Sequence, residues 1–390
     1  MAEAVDYKQI GSRPIRPDGV DKVTGRARFG ADLVLPNMIY GKVLRSPHAH
    51  ARIKHVDVTA ALALDGVFAA ISGADFPGGI LGGEVAGEGG GTIDDLAKNV
   101  MARDKALYHG HAVAAVAAKS VEVAEAALAA IKVEYEALPP VLDVIAAMSE
   151  DSPLLDENLY TNLPEKPEKP SNIANIGRLE RGSVEEGFER ADIIIEREYT
   201  VPMAHQGYIE PHACVASIDE TGRGSVWLST QGHFEARAAT ANILGRDIAD
   251  LKFVASEIGG GFGGKTVIYL EPLAVLLSEK ANRPVKMQMS REEVFRATGP
   301  TSGTVTRIKL GVKNDGTFTA AQAWSAFEAG AFAGAPHMPG IMSIYAPYDL
   351  ENFVVEAFDV LVTKPKVAAY RAPGAPQTMH AFECAIDEAA

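Results

Sequence analysis

The sequence predicts a mixed α/β protein, and three local patterns support this prediction. Residues 111–118 form an apolar run typical of a buried strand, and residues 132–136 alternate as a second strand. Between them, Ser120 is a residue type that caps helices, and the chain favours a helix through Ala130. Residues 306–312 alternate and precede the turn sequence Asn-Asp-Gly, a pattern typical of a β-hairpin. Helices and strands are therefore expected along the whole chain.

The first predicted domain covers residues 15–145 and begins within a polar arm over residues 1–20. Strand-like sequence lies at 41–58 and 68–72, with a short helix expected over 57–64. The helix after Ser120 has an apolar face that consists of Val123, Ala124, Ala127, Leu128 and Ile131. This face is expected to pack on the neighbouring strands.

Two segments of the chain predict irregular structure. Residues 78–92 are rich in glycine and predict a loop; a phosphate-binding loop is the alternative, which Glu84 and Glu88 disfavour by charge repulsion. Residues 137–175 contain six prolines, and we assign 146–175 as a linker. This linker is expected to separate the first domain from a second one.

The second predicted domain covers residues 176–390, and its elements follow from helix caps and periodicity. Ser183 with Glu186, and Ser290 with Glu293, have the spacing of capping boxes. The remaining expected elements are a helix from Ser183 to Ala191, strands over 192–199 and 251–255, helices over 233–244 and from about Pro272, and an amphipathic helix over 382–390.

Charge and cysteine content limit the classes of function. The net charge of −14 and the pI of about 5.2 disfavour nucleic acid and anionic membranes as partners. Residues 1–13 lack the pattern of a signal peptide and no long apolar run occurs, so we expect a cytoplasmic protein. A [2Fe–2S] cluster ordinarily takes four thiolates, whereas this chain has only Cys214 and Cys384. Cys214 lies in an apolar run and is expected to be buried and inert.

A run of glycines is the sharpest local signal. Residues 259–266 read Gly-Gly-Gly-Phe-Gly-Gly-Lys-Thr and follow a predicted strand. Glycine leaves backbone N–H groups accessible, and such groups bind oxygens or anions. The turn could be a P-loop, for which Asp359 would be the metal-binding carboxylate; it could be a structural corner; or it could hold a redox cofactor. The motif by itself leaves the three interpretations open.

Five further segments stand out in chain order: Asp21 to Phe29 (DKVTGRARF), Leu44 to Ile53 (LRSPHAHARI), Gly207 to Pro211 (GYIEP), Ser229 to Gln231 (STQ) and Ala369 to Gln377 (AYRAPGAPQ). Gln231 also lies 31 positions before Phe262. These segments and this spacing resemble those of the xanthine dehydrogenase and aldehyde oxidase family. The resemblance implies a small α/β domain of the hammerhead type, followed by the first half of a molybdenum-cofactor-binding region.

The resemblance also implies a function and a set of site residues. Members of this family hydroxylate an electron-poor C–H carbon of N-heteroaromatics, aldehydes or acyl-CoA-type compounds with water-derived oxygen. The expected cofactor is molybdopterin with molybdenum, either alone or as the cytosine dinucleotide, and [2Fe–2S] and FAD are expected on partner subunits. The residues implied to hold the cofactor are Gln231, Gly261, Phe262, Gly263 and Arg371, with no direct protein ligand to the metal.

The sequence departs from the family at several positions. Thr266 stands where purine-oxidising members have a glutamate, and Pro373 replaces a phenylalanine, so both are assigned to a substrate pocket that does not suit xanthine. Ala372 replaces the cysteine that binds copper in carbon monoxide dehydrogenases. The catalytic glutamate of the family falls outside this sequence, so no catalytic residue is assigned here. A C-terminal molybdopterin-binding subunit is therefore expected as a partner, as in split nicotinate dehydrogenases; a fragment or a non-catalytic assembly subunit is the alternative.

Overall fold

A computed structural model describes residues 7–78, 82–83 and 91–390. Most of the glycine-rich run predicted as a loop, including Glu84 and Glu88, lies outside the described residues. The strands are β1 (Ile39–Arg45), β2 (Ala51–Asp57), β3 (Val67–Ser72), β4 (Lys105–Ala106), β5 (Ala112–Ala118), β6 (Lys132–Ala137), β7 (Ile173–Arg181), β8 (Ile193–Val201), β9 (Ala213–Ile218), β10 (Gly224–Leu228), β11 (Leu251–Ala255), β12 (Val285–Gln288), β13 (Thr304–Val312), β14 (Phe318–Gly330) and β15 (Phe353–Leu361). The helices are α1 (Gly19–Val23), α2 (Thr59–Leu62), α3 (Ile93–Val100), α4 (Val121–Ala130), α5 (Val144–Ala147), α6 (Val184–Glu189), α7 (His233–Ile243), α8 (Glu271–Ala281), α9 (Arg291–Ala297), α10 (His337–Ser343) and α11 (Ala375–Ala389). The predicted mixture of helices and strands is confirmed.

The strands form three sheets. The first has seven strands in the order β11-β10-β9-β12-β1-β5-β3, with parallel pairing between β1 and β12 and between β10 and β11. The second has the order β7-β15-β14-β13-β8, and the third has the order β4-β2-β6. The first sheet contains strands from both sides of the predicted linker, so the proposed domain boundaries do not separate two sheets and stay a prediction.

Each of the two large sheets is covered by helices that bury an apolar core. Helix α8 packs against β9 and β3, and eight of its residues, Glu271 to Ser278, are buried. Helices α10 and α11 cover the five-stranded sheet, where Phe327 and Phe382 are fully buried. Two cores of this size give the loops between strands a rigid base.

Most expected elements form where the local signals place them. The Oγ of Ser120 accepts a hydrogen bond from the backbone N–H of Val123 at the start of α4, and all seven residues of β5 are buried. The capping box of Ser290 and Glu293 is complete, and Gly245 follows α7 with a φ of 61°. These contacts are local, which is why sequence spacing predicts them.

Other expectations need correction. The strand-like run over 41–58 is two strands separated by the turn over 46–50, α6 ends at Glu189 rather than Ala191, and the C-terminal helix begins at Ala375 rather than Phe382. The predicted linker is packed: Leu155 is buried, and its backbone N–H donates to the side chain of Asn172. Its prolines therefore mark irregular backbone, which side-chain hydrogen bonds hold in place.

Candidate functional site

Three segments that are distant in the chain meet at one surface. The side-chain Oε1 of Gln231 accepts hydrogen bonds from the backbone N–H groups of Gly263 (2.8 Å) and Lys265 (3.2 Å). The backbone N–H of Arg371 donates to the carbonyl of Phe262 at 2.9 Å. Gln231, the glycine turn over 259–264 and Arg371 therefore form one structural unit.

Glycine is required in this turn because neighbouring atoms leave no room for side chains. A Cβ at position 261 would lie 2.4 Å from Oε1 of Gln231, and one at position 263 would lie 2.5 Å from the carbonyl oxygen of Ala369. Gly263 also has a φ of 101°, which L-residues rarely adopt. The turn is therefore held tightly on its inner side, while its outer side presents backbone and the half-exposed ring of Phe262.

The polar groups on this surface are donors. Gln231 is exposed and its Oε1 accepts from the two backbone N–H groups, so its Nε2 is the group left to donate to a ligand. The side chain of Arg371 is exposed and forms no hydrogen bond or ion pair with any residue that the structure describes. The N–H of Gly263 donates to Gln231, and the role of Gly263 toward a cofactor stays a prediction. The surface is thus suited to a ligand with oxygen acceptors and negative charge.

A buried ion pair that the sequence analysis missed fixes the two ends of the glycine turn. The Oε2 of Glu210 accepts from the Nζ of Lys265 at 2.6 Å and from the backbone N–H of Gly259 at 2.7 Å. The Oε1 of Glu210 accepts from the N–H of Gly30 at 3.3 Å. Burial lowers the pKa of Lys265, whereas its hydrogen bond with Glu210 opposes this shift. The position of Glu210 within the GYIEP segment was the available signal.

The same geometry contradicts a P-loop. The side chain of Lys265 is fully buried against Glu210, so it is not available to a phosphate. Helix α8 begins at Glu271, five positions after Thr266, rather than directly from the loop. The carboxylate of Asp359 is buried and accepts hydrogen bonds from Asn175, Gly334 and Ala335, so it does not suit a metal-bound nucleotide.

Beneath the turn lies a buried polar network. The hydroxyl of Tyr208 is 2.7 Å from Nε2 of His212 and 3.1 Å from the hydroxyl of Thr298, which His205 also contacts at 2.8 Å. Burial lowers the pKa of His205 to about 4 and lowers that of His212 well below its ordinary value. Both rings are therefore neutral near pH 7 and support the GYIEP segment from below. Cys214 is buried in β9, and burial raises its thiol pKa, as expected of an inert thiol.

The two residues assigned to a substrate pocket lie in different surroundings. Pro373 lines a cavity of about 930 Å³ together with Ala369, Ala372 and residues of α10. Thr266 is not part of that lining, and its hydroxyl donates to the carbonyl of Gly263 at 2.7 Å. Their roles toward a substrate stay predictions.

One family model covers Gln231, the glycine turn and Arg371 together. A model of the molybdopterin cofactor-binding domain matches residues 165–390, more than half of the chain. The chain belongs to the xanthine dehydrogenase family of molybdopterin-binding proteins. The aldehyde oxidase and xanthine dehydrogenase a/b hammerhead domain matches residues 24–139 in addition.

Individual relatives agree with this family assignment. The nicotinate dehydrogenase large molybdopterin subunit of Eubacterium barkeri is 31% identical over 377 residues, which cover 95% of this chain and 83% of that protein. A probable xanthine dehydrogenase subunit of Bacillus subtilis is 32% identical over 96% of this chain and 48% of its own length.

Solved structures of the family have the same fold. Quinoline 2-oxidoreductase of Pseudomonas putida 86 superposes with a TM-score of 0.83 at 28% identity, and covers 95% of this chain and 47% of that one. Carbon monoxide dehydrogenase of Oligotropha carboxidovorans gives a TM-score of 0.85 at 28% identity, over 97% of this chain and 48% of that one. The chain thus spans most of the nicotinate dehydrogenase subunit but about half of these other relatives.

Proposed function

We propose that this chain supplies one side of the molybdopterin site of a molybdenum hydroxylase, which inserts water-derived oxygen into a C–H bond. The substrate class is an N-heteroaromatic, an aldehyde or an acyl-CoA-type compound. One observation carries the proposal: Gln231, the glycine turn over 259–264 and Arg371 form a single surface through direct hydrogen bonds. Family membership supports the same assignment.

The residues of this surface fit a molybdopterin cofactor. Positions 261 and 263 have no room for a Cβ, so the turn keeps a bare backbone that a large cofactor can approach closely. Nε2 of Gln231 is a neutral donor for an oxygen ligand, and the exposed guanidinium of Arg371 offsets negative charge. When bound, the molybdenum centre supplies the two-electron oxidation. The chain's own contribution is to orient the cofactor and to hold Gln231 in place.

The proposal includes partners that complete the site. We infer that the catalytic glutamate comes from a further molybdopterin-binding segment, on a C-terminal partner subunit. The two cysteines of this chain do not make a [2Fe–2S] site, so electrons pass to an iron–sulfur subunit and then to an FAD subunit. The pterin is molybdopterin alone or its cytosine dinucleotide, and the complex is cytoplasmic. None of the described helices is long and apolar enough to cross a membrane.

The test is the cofactor content of the intact complex and the effect of Gln231→Ala on it. We expect about one molybdenum and one pterin per wild-type chain, and at least a tenfold loss of substrate-dependent dye reduction in Gln231→Ala. The exposed Gln288 gives a matched control, and Gln288→Ala should retain wild-type activity. Absence of molybdenum and pterin from the wild-type complex would refute the proposal. Unchanged turnover in Gln231→Ala would instead favour a non-catalytic assembly role.

A further inference from the structure

Gln206 is a buried glutamine that lies between two segments of the candidate site. Its side chain is 6% exposed, and its Nε2 donates a hydrogen bond to the carbonyl oxygen of Ala369 at 2.8 Å. A Cβ at Gly264 would lie 3.0 Å from the amide carbon of Gln206, so the amide packs directly against the glycine turn. Gln206 therefore contacts both the glycine turn and the segment that leads to Arg371.

The two polar atoms of the Gln206 amide are used differently. Ala369 is buried, and no other described residue donates to its carbonyl oxygen. A buried carbonyl without a donor is costly, because water does not replace the lost hydrogen bond. The Oε1 of Gln206, by contrast, is buried and accepts no hydrogen bond from the described residues. The amide is thus placed for its donor, and only that donor acts on the segment over 369–372.

The contact between this segment and the glycine turn contains strained backbone. Ala372 has a φ of 62° and Phe262 has a φ of 51°, a conformation that residues with a Cβ rarely adopt. The backbone N–H of Arg371 donates to the carbonyl of Phe262 at 2.9 Å, next to Ala372 in the chain. Strained residues persist only where surrounding contacts fix them. The hydrogen bonds to this segment are therefore needed to keep its shape.

We propose that Gln206 is a positioning residue: through Ala369 it holds the segment against the glycine turn, and so fixes where the guanidinium of Arg371 lies. Gln206 acts through the backbone and does not itself touch a cofactor or a substrate. The inference rests on the proposed function, in which the charge of Arg371 is offered to the bound cofactor. A glutamine that only stabilised the fold would leave the segment unchanged wherever the protein stays folded.

Hydrogen exchange of the Arg371 amide in the full chain tests the proposal. Gln206→Met removes the donor but keeps an unbranched side chain of similar length. Asn352→Leu is the matched control, because it removes another buried amide whose Nδ2 donates to a backbone carbonyl, that of Thr319 near the start of β14. By mass spectrometry, exchange at Arg371 should be at least about tenfold faster than in the wild type for Gln206→Met, and nearly unchanged for the control. Unchanged exchange in the first variant, or equal acceleration in both, would overturn the proposal.

A second variant decides the matter if Gln206→Met does not fold. In Gln206→Glu, a protonated carboxyl can donate to the carbonyl of Ala369, whereas a carboxylate cannot. Burial raises the pKa of a carboxyl, so protection of the Arg371 amide should match the wild type at about pH 5 and should be lost at about pH 8. Each value is compared with the wild type at the same pH. Protection that does not change between these two conditions would contradict the role of the donor.

The intact complex gives an independent readout. Gln206→Met should retain about tenfold less molybdenum and pterin per chain than the wild type after gel filtration, and Asn352→Leu should retain wild-type amounts. Faster exchange at Arg371 without cofactor loss would also overturn the proposal, because the held position would then have no consequence for the cofactor. A wild-type complex without molybdenum and pterin would refute the proposed function itself, and hydrogen exchange would still decide whether Gln206 holds the segment.

Discussion

At the scale of single residues, the candidate site depends on a buried ion pair and on a glycine with no room for a side chain. The ammonium of Lys265 has no exposed surface, and Glu210 is its partner at 2.6 Å. A buried charge that loses its partner costs several kcal/mol, whereas removal of both charges costs much less. We therefore expect the loss of one partner to destabilise the glycine turn more than the loss of both partners does.

Glu210→Gln should lower the free energy of unfolding by about 3 kcal/mol, because it leaves the ammonium of Lys265 buried and unpaired. The double variant Glu210→Gln/Lys265→Met should recover at least about 1 kcal/mol of that loss. Denaturant unfolding of the purified protein measures both values. A double variant less stable than the single one would contradict this account of the pair.

Gly263 can be compared with a matched glycine. Gly316 has a φ of 87° and no atom within 4 Å of the position that a Cβ would take, whereas a Cβ on Gly263 would meet Ala369. Gly316→Ala should cost about 1–2 kcal/mol for its backbone conformation, and Gly263→Ala should cost at least about 2 kcal/mol more. Gly263→Ala should also reduce the molybdenum content of the complex, since it displaces the backbone beside Arg371. Equal stability losses in the two variants would contradict the steric argument.

At the scale of elements, the positions of the helix caps were predictable from residue spacing, but the number of hydrogen bonds that each cap forms was not. The N–H of Glu293 donates to the hydroxyl of Ser290, and the carboxylate of Glu293 accepts from the N–H of Ser290. The same carboxylate accepts from Arg45 of β1 at 2.9 Å. For Ser183 the structure gives the first of these bonds, from Glu186, without the reciprocal one. The cap of α9 thus also joins this helix to β1 of the seven-stranded sheet.

Ser290→Ala should therefore destabilise the protein more than Ser183→Ala does. We expect a loss of about 1 kcal/mol for the first variant and about 0.5 kcal/mol for the second, because only the first breaks a complete capping box. Thermal or denaturant unfolding of the two variants side by side provides the comparison. A larger loss for Ser183→Ala would contradict the view that the complete capping box stabilises its helix more than the partial one.

At the scale of the whole molecule, buried histidines make stability depend on pH. His111 stacks on Tyr108 and contacts the edge of Phe332, and burial lowers its pKa to about 4. A histidine with a lowered folded-state pKa favours the folded state above the unfolded pKa of about 6.5, and this contribution is lost as the pH falls toward 4. One such group accounts for about 3 kcal/mol over that range.

We expect the wild-type protein to lose stability steadily between pH 6.5 and pH 4. His111→Gln should be less stable at pH 7 but should show a shallower pH dependence over this range. His109 lies two positions away and is exposed, so His109→Gln serves as the control and should keep the wild-type slope. Unfolding free energies measured at several pH values decide the matter; identical slopes in the three proteins would exclude His111 as the cause.

The sequence by itself determined the class of fold and the starts of α4, α6, α7 and α9, and it singled out the three segments of the candidate site. Capping residues, alternation and turn residues act over three or four positions, so they are visible without a structure. The family resemblance then assigned Gln231, the glycine turn and Arg371 to one site, and the structure brings these residues together.

Only the tertiary structure decided how the distant parts fit. It showed that strands from both predicted domains share one sheet and that the proline-rich segment is packed. It also showed that Gln231 accepts a hydrogen bond from the N–H of Gly263. The pairing of Glu210 with Lys265, 55 positions away, likewise did not follow from the sequence, although Glu210 lies within the GYIEP segment. Burial and long-range hydrogen bonds depend on which surfaces meet in space, and that property belongs to the folded chain as a whole.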